Sequence, residues 1–251
     1  MKDFVKMCAT IGGMKDYVQG GGGNTSVKLE GGLMAIKASG YCLKDIQVDK
    51  AYAVLDCAAL REFYFGSQPA DFEDVEKAGS DKAKASVQVV EGMAQLRPSV
   101  EAGFHSLLDT YVAHSHSVYA NLAACAEDGR EVVAEALAGA DYTWGFVPYV
   151  DPGARLTFSI RDELKRAGDR EEAVAAAGLA VKVDKVPHFS GIFAGRLHIV
   201  VLDESGAEAF FVLDFHAVKN AAVAVEADEK LVVFRQTFHF IKIITHCFSP
   251  D

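Results

Sequence analysis

Paired cysteines, an excess of basic charge and long uncharged segments are all missing from this chain of 251 residues. Its five cysteines are odd in number and widely spaced, and none forms a Cys-x-x-Cys pair; they are Cys8, Cys42, Cys57, Cys125 and Cys247. This pattern supports neither a disulfide framework nor a thiolate zinc site. We therefore expect a protein of the reducing cytoplasm.

The charge pattern argues against two classes of partner. The net charge is −10, and the acidic residues are spread along the chain. Without a basic stripe, binding to nucleic acid or to an anionic membrane is disfavoured. No apolar segment has the length of a signal peptide or a membrane span, so we expect no membrane association.

Composition and periodicity predict an α/β protein. Half of the residues are hydrophobic, enough for one sizeable core, and no repeat or low-complexity linker divides the chain. We expect a single domain over 1–251, with the arrangement of 196–251 left open. Helices are predicted over 4–11, 89–96, 100–108, 118–126, 131–138, 156–166 and 171–177. Strands are predicted over 25–29, 33–38, 52–56, 110–117, 146–150, 180–186, 196–203 and 210–215, and 231–244 also alternates.

Two histidines share one face of a predicted strand. Alternate residues of a strand project to the same side, so His114 and His116 would point together. Imidazole is the commonest protein ligand of zinc and related divalent ions, so the pair favours a metal site. A His-x-His pair also arises by chance, which leaves a structural role open.

A glycine-rich turn precedes the first predicted strand. The segment Gly20–Ser26 offers unhindered backbone amides and three small polar side chains, which suit an anion such as phosphate. It is neither a P-loop nor a dinucleotide fingerprint, and four glycines can equally make a simple turn. A second donor-rich turn, Lys37–Gly40, ends the return strand of a hairpin that turns at 30–32. We expect the hairpin to bring the two turns close together.

A carboxylate lies just upstream of the histidine strand. Glu101 follows Ser99, which we expect to be the N-cap of the helix over 100–108. Glu101 suits a proton shuttle beside a metal, or it stabilises the helix N-terminus. His105 lies four residues later, where it is expected to pair with Glu101 rather than to bind metal.

Four motifs in this order resemble the class II aldolase/adducin family, which contains fuculose-1-phosphate and rhamnulose-1-phosphate aldolases. They are Gly-Gly-Asn-Thr-Ser (Gly22–Ser26), Lys-Ala-Ser-Gly (Lys37–Gly40), Ser99-Val-Glu101 with His105, and Val112-Ala-His-Ser-His116. The resemblance covers about 10–160. The interval from Glu101 to His114 is shorter than expected for the family, but no motif residue is lost.

The resemblance implies a fold, an assembly and a site. The fold is a single α/β domain with a mainly antiparallel central sheet covered by helices, assembled as a homotetramer with its sites at subunit interfaces. Glu101 is implied as the catalytic acid/base, and His114 and His116 as metal ligands, with Zn²⁺ the expected ion. The residues implied to line a substrate phosphate pocket are Gly23, Asn24, Ser39, Gly40 and Ser99.

The third metal ligand departs from the family pattern. The family places a histidine in an Asn-His-Gly motif, and this chain has no such tripeptide. The nearest counterpart is His188, with His198 and His216 as rivals. Some relatives supply a C-terminal tyrosine to a neighbouring subunit; no tyrosine follows Tyr149 in this sequence, so we do not expect that contribution here.

The activity implied by the resemblance is that of a metal-dependent aldehyde-lyase. It would cleave a ketose 1-phosphate to dihydroxyacetone phosphate and an aldehyde through a metal-stabilised enediolate. A sugar-phosphate epimerase or dehydratase of the same family is the alternative, because the same metal chemistry serves both. A non-catalytic adducin-like interaction module is a third hypothesis.

Overall fold

A mostly antiparallel sheet forms the centre of the protein. The computed structural model describes residues 1–118, 120–121, 126–137, 143–176, 197–202 and 211–215. The strands are β1 (Asn24–Leu29), β2 (Leu33–Lys37), β3 (Tyr52–Asp56), β4 (Tyr111–Ser115), β5 (Thr143–Val147), β6 (Leu197–Leu202) and β7 (Phe211–Phe215). Their order in the sheet is β3-β2-β1-β4-β7-β6-β5. Among these pairs β5 and β6 run parallel and the others antiparallel, which confirms the expected fold class.

Helices cover the sheet. They are α1 (Lys2–Gly12), α2 (Cys57–Gly66), α3 (Val75–Ala85), α4 (Ala102–Leu107), α5 (Gly129–Ala136) and α6 (Ala154–Ala176). One buried cluster joins α1 to the sheet through residues such as Phe4 and Val27. A second joins α2, α3, α4 and α6 to the sheet through residues such as Met34 and Leu60. Buried residues on both faces of the sheet are what a three-layer arrangement requires.

The two faces of strand β1 have different surroundings, which explains why its side chains alternate in character. Thr25 and Val27 belong to the α1 side, where Thr25 Oγ1 lies 3.0 Å from Cys8 Sγ. Asn24, Ser26 and Lys28 point the opposite way and contact α4 or the residue before it. The period of two therefore turns Thr25 and Val27 towards α1 and the more polar residues of β1 towards α4.

The predicted hairpin is confirmed. Leu29 pairs with Leu33 across the turn Glu30–Gly32. Gly31 and Gly32 both have positive φ angles, of 72° and 76°. Glycine adopts this backbone conformation without the steric cost that other residues meet, so the two glycines direct the reversal here.

The predicted helix over 89–96 is wrong. Val89 is 83% exposed, and Gly92 has a φ of 79°, which does not fit a right-handed helix. The preceding residues instead follow β3, because Val87 bridges to Leu55 and the Gln88 amide donates to the Val54 carbonyl. Apolar periodicity misled here because these valines have no core to face.

Other boundaries differ from those predicted. Helix α4 begins at Ala102, not at Val100, and α6 runs without a break from Ala154 to Ala176, where two helices were predicted at 156–166 and 171–177. A glycine at position 168 does not end α6, consistent with a cost of only about 1 kcal/mol for glycine in a helix. Strand β5 begins earlier than the segment predicted over 146–150. Helices α2 and α3 lie where the sequence predicted no element.

Some predicted elements lie outside the described residues. These are the strands over 180–186 and 231–244 and most of the helix over 118–126. In the part of the chain that the structure describes, no helix is both long and apolar enough to cross a membrane.

A buried arginine joins α6 to the end of α2. The Arg161 side chain is 1% exposed, and its guanidinium donates to the carbonyl oxygens of Tyr64 and Ser67 at 2.7 and 2.8 Å. It also donates to Gln68 Oε1 at 2.8 Å and pairs with Asp162. The arginine thus satisfies carbonyl groups that the end of α2 would otherwise leave without partners.

Replacing Arg161 with methionine should lower the free energy of unfolding by about 2–4 kcal/mol, since buried acceptors lose their donor. Chemical denaturation measures this directly. The matched control is Arg155→Met on the same helix, whose side chain is 63% exposed and which should change stability by less than about 0.5 kcal/mol. Equal stability of the two variants would contradict the structural role of Arg161.

Candidate metal centre

The candidate site lies where β1 begins and β4 ends. These strands are antiparallel neighbours, and Asn24 is directly opposite His114. The residue before α4, Glu101, reaches the same place because the Asn24 side chain contacts its carboxylate. Three segments that are distant in sequence therefore meet at this end of the sheet.

Glu101, His114 and His116 form a group that can hold a metal ion. Their donor atoms all lie within 4.8 Å of one another. His114 Nδ1 is 3.5 Å from Glu101 Oε1, close to the roughly 3.4 Å between two ligands of a tetrahedral zinc ion. His114 is fully buried and Glu101 is 15% exposed, so the group opens towards solvent mainly at the carboxylate.

The Glu101 carboxylate is held by two neutral donors. Asn24 Nδ2 and Ser99 Oγ both donate to Oε2, at 3.0 and 3.1 Å. Burial opposes ionisation, but attraction to His114 and hydrogen bonds from His114 and Asn24 outweigh it, so the pKa of Glu101 lies well below its usual value. Glu101 is therefore a carboxylate, the form that can accept a proton or bind a cation.

Burial keeps the second histidine neutral. Desolvation, and then the electrostatic interaction with His114, lower the pKa of His116 to about 4. A neutral imidazole is the form that binds metal ions. The glycine-rich turn lies against this ring, because a Cβ on Gly22 would be 3.0 Å from His116 Nδ1.

Gly23 has a steric reason to be glycine. Its φ is 72°, and a Cβ there would lie 2.6 Å from Val18 Cγ1 and 2.9 Å from the His114 carbonyl oxygen. Both the backbone conformation and the space exclude a side chain. The turn can therefore approach β4 closely beside the histidines.

The two donor-rich turns lie together, as the hairpin predicted. Lys37 is buried, and its Nζ donates to the Gly21 carbonyl at 3.2 Å and to the Tyr41 carbonyl at 2.8 Å. One ammonium group therefore links the first turn to the second. The Ser39 amide also donates to the Arg97 carbonyl, two residues before Ser99.

The residues predicted to bind phosphate occupy different environments. Gly23 and Asn24 are buried, Ser99 is half-buried, and Ser39 and Gly40 are exposed. Gly40 has a φ of 87° with open space around it. A phosphate role for these five residues stays a prediction.

The third metal ligand is not placed. His188 and His216 lie outside the described residues, and for His198 only the backbone of β6 is described. In the described group, the third donor beside His114 and His116 is the carboxylate of Glu101. The assignment of His188 as a ligand stays a prediction.

The partner of His105 was predicted incorrectly. Its Nδ1 lies 2.9 Å from Ser26 Oγ, whereas the Glu101 carboxylate is bonded by Asn24 and Ser99. Burial, and then the electrostatic interaction with His114, hold the pKa of His105 well below its usual value. The polar alternation of β1 was the sequence signal that could have pointed to Ser26.

Solved structures show that this fold is known. The N-terminal class II aldolase domain of a conserved protein from Thermoplasma acidophilum matches with a TM-score of 0.61 and 18% identity, covering 98% of this chain and 92% of that one. A candidate aldolase/epimerase/decarboxylase from Klebsiella pneumoniae has a TM-score of 0.49, 16% identity and coverages of 98% and 87%. An L-fuculose 1-phosphate aldolase has a TM-score of 0.48, 17% identity and coverages of 100% and 90%. At 18% sequence identity, the likeness to the Thermoplasma protein establishes the fold.

The sequence defines the family. The profile of the class II aldolase and adducin N-terminal domain matches residues 2–183. The chain therefore belongs to the class II aldolase and adducin family, which confirms the resemblance carried by the four motifs. Among curated protein sequences, no match to the chain is found.

Proposed function

We propose that this protein is a metal-dependent aldolase that cleaves a ketose 1-phosphate to dihydroxyacetone phosphate and an aldehyde. The observation that supports it is the convergence of Glu101, His114 and His116 beside two donor-rich turns. The same group of side chains favours an enzyme over an interaction module, which would have no need of it. The proposed location is the cytoplasm and the proposed assembly a homotetramer.

The donor set suits a divalent metal ion. Two buried imidazoles and one ionised carboxylate are ligand types that zinc accepts, and their donor atoms are close enough to share one ion. His114 and His116 would hold the ion, His188 is the proposed further ligand, and Zn²⁺ is the proposed ion. A bound divalent ion supplies a Lewis acid that stabilises negative charge on substrate oxygens.

Glu101 is the proposed acid/base. When the bond between C3 and C4 of a ketose 1-phosphate breaks, the C4 hydroxyl loses its proton and C3 gains one. Glu101 Oε1 would move this proton, because Oε2 is already held by Asn24 and Ser99. Those two hydrogen bonds fix the carboxylate, so little reorganisation is needed when the proton moves.

The turns are the proposed phosphate site. Gly23, Asn24, Ser39, Gly40 and Ser99 are the residues proposed to line it. The Lys37 ammonium places a positive charge between the two turns, where a dianionic phosphate would be favoured. Binding the phosphate there would orient the rest of the sugar towards Glu101 and the histidines.

Removal of the metal tests the proposal. Dialysis against a chelator should abolish retro-aldol cleavage of phosphorylated ketoses, and stoichiometric Zn²⁺ or Co²⁺ should restore it. Coupled assays for dihydroxyacetone phosphate measure the activity, and product analysis identifies an epimerase or dehydratase instead. Full activity of a metal-free sample would contradict the proposal. A sample that binds no metal and turns over no phosphorylated ketose would support the interaction module.

A further inference from the structure

His105 occupies a position behind the candidate metal centre. Its side chain is completely buried, and its ring nitrogen Nδ1 lies 2.9 Å from Ser26 Oγ. Its ring centre lies 6.2 Å from that of His114. The neighbouring Phe104 stacks on His105 and meets His114 edge-on, with centroid distances of 4.8 and 5.6 Å. These contacts favour a role for His105 that acts through its neighbours.

The polar face of β1 meets Glu101 and α4 in register. Asn24 bonds the Glu101 carboxylate, and Ser26, two residues along the strand, bonds His105 at 2.9 Å. Lys28, two residues further, donates from Nζ to the His105 carbonyl oxygen. Two strand residues span about 6.8 Å and four helix residues about 6 Å, so the spacing from Asn24 to Ser26 matches that from Glu101 to His105.

Helix α4 needs these contacts to hold its position. It has six residues, far fewer than an isolated helix needs to be stable in water. Arg61 of α2 donates to the Ser106 and Leu107 carbonyls at the far end of the helix. The Ser26–His105 hydrogen bond lies about one helical turn after Glu101 and joins an α4 side chain to the strand that pairs with β4.

We propose that Ser26 and His105 are a positioning pair, whose hydrogen bond fixes α4 on β1 and so places the Glu101 carboxylate against His114. The inference rests on the metal site of the proposed function. It assigns neither residue to metal or substrate contact. Residues that hold ligands in place typically change metal affinity 10- to 100-fold when they are replaced.

Three variants distinguish the effect of the Ser26–His105 hydrogen bond from that of the aromatic ring. Ser26→Ala removes the hydroxyl, and His105→Phe keeps a ring but removes the nitrogen. His105→Asn keeps a polar atom at the position of Nδ1. The matched control is Ser106→Ala, which removes another buried hydroxyl from α4, one that donates to the Gly103 carbonyl within the helix.

Cobalt binding to the full chain gives the first measurement. Titration of the metal-free protein with Co²⁺ should show affinity roughly 10-fold weaker in Ser26→Ala and His105→Phe, with a changed ligand-field absorption spectrum. His105→Asn should stay within about threefold of the wild type, and Ser106→Ala should match it. Wild-type affinity and spectrum in folded Ser26→Ala and His105→Phe would overturn the inference. If His105→Phe does not fold, Ser26→Ala compared with Ser106→Ala decides.

Imidazole ¹⁵N chemical shifts of the metal-free protein give a second measurement. The shifts of His114 report its contact with Glu101 and need no bound ion. They should change in Ser26→Ala and remain unchanged in Ser106→Ala. Unchanged His114 shifts in Ser26→Ala would overturn the positioning role, whether or not the wild type binds Co²⁺. Failure of the wild type to bind Co²⁺ would by itself count only against the proposed function.

Discussion

Replacing Glu101 with glutamine should lower kcat for carbon–carbon bond cleavage by roughly 10²- to 10⁴-fold, the range for loss of a positioned acid/base. Glutamine keeps the size of the side chain and an oxygen that can accept from Asn24 or Ser99. It cannot take up the proton from the C4 hydroxyl. We expect KM for the sugar phosphate to change far less than kcat, because the proposed phosphate site is left intact.

The matched control for this variant is Glu163→Gln. Glu163 is a buried glutamate, with a side chain 2% exposed, and it pairs with Arg166 on α6. Its replacement removes a buried carboxylate without touching the candidate site, so kcat should stay within about twofold of the wild type while stability falls. Steady-state kinetics with metal content measured in each sample make the comparison. More than a tenth of wild-type kcat in metal-loaded Glu101→Gln would rule out the acid/base role.

Local sequence signals predicted the elements whose shape is set by neighbouring residues. The hairpin between β1 and β2 follows from Gly31 and Gly32, and α1 and β4 follow from their apolar periods. The segment over 89–96 has a similar apolar period, but its valines face no core. Periodicity shows which residues share a face and does not show whether another element covers that face.

Helices α2 and α3 were not predicted, although the sequence contains an N-cap signal before each of them. Asp56 and Asp74 are N-caps whose carboxylates accept from the amides of Ala59 and Lys77. An aspartate before a helical segment is a recognised start signal. Much of their stability, however, comes from tertiary contacts such as Arg161 at the end of α2, and no local pattern predicts that contact.

The candidate site was predictable in its residues and less so in its contacts. Spacing along β4 was enough to place His114 and His116 together, and the hairpin was enough to bring the two turns close. The partner of His105 depends on how α4 crosses β1, a long-range arrangement that sequence spacing along one helix cannot give. The link that Lys37 makes between the turns depends in the same way on the folded backbone.

Alanine at His114 should weaken metal binding on the order of 10³-fold, beyond the 10- to 100-fold typical of losing an outer-sphere partner. His114 is fully buried beside Glu101, so its removal leaves the carboxylate without its nearest imidazole. His116→Ala should have a comparable effect. The matched control is Ser115→Ala, since Ser115 lies between the two histidines on a strand and its side chain projects to the opposite face.

Titration of metal-free variants with Co²⁺ measures these losses of affinity and also identifies the remaining ligand. Among the alanine variants of His188, His198 and His216, one should lose as much metal affinity as His114→Ala, and the other two should keep the wild-type affinity. We expect the large loss at His188. A large loss of affinity at His198 or His216 instead would identify that residue as the ligand. Wild-type affinity in all three variants would indicate that Glu101, His114 and His116 hold the ion without a further histidine. The described donor atoms already lie close enough together for this coordination.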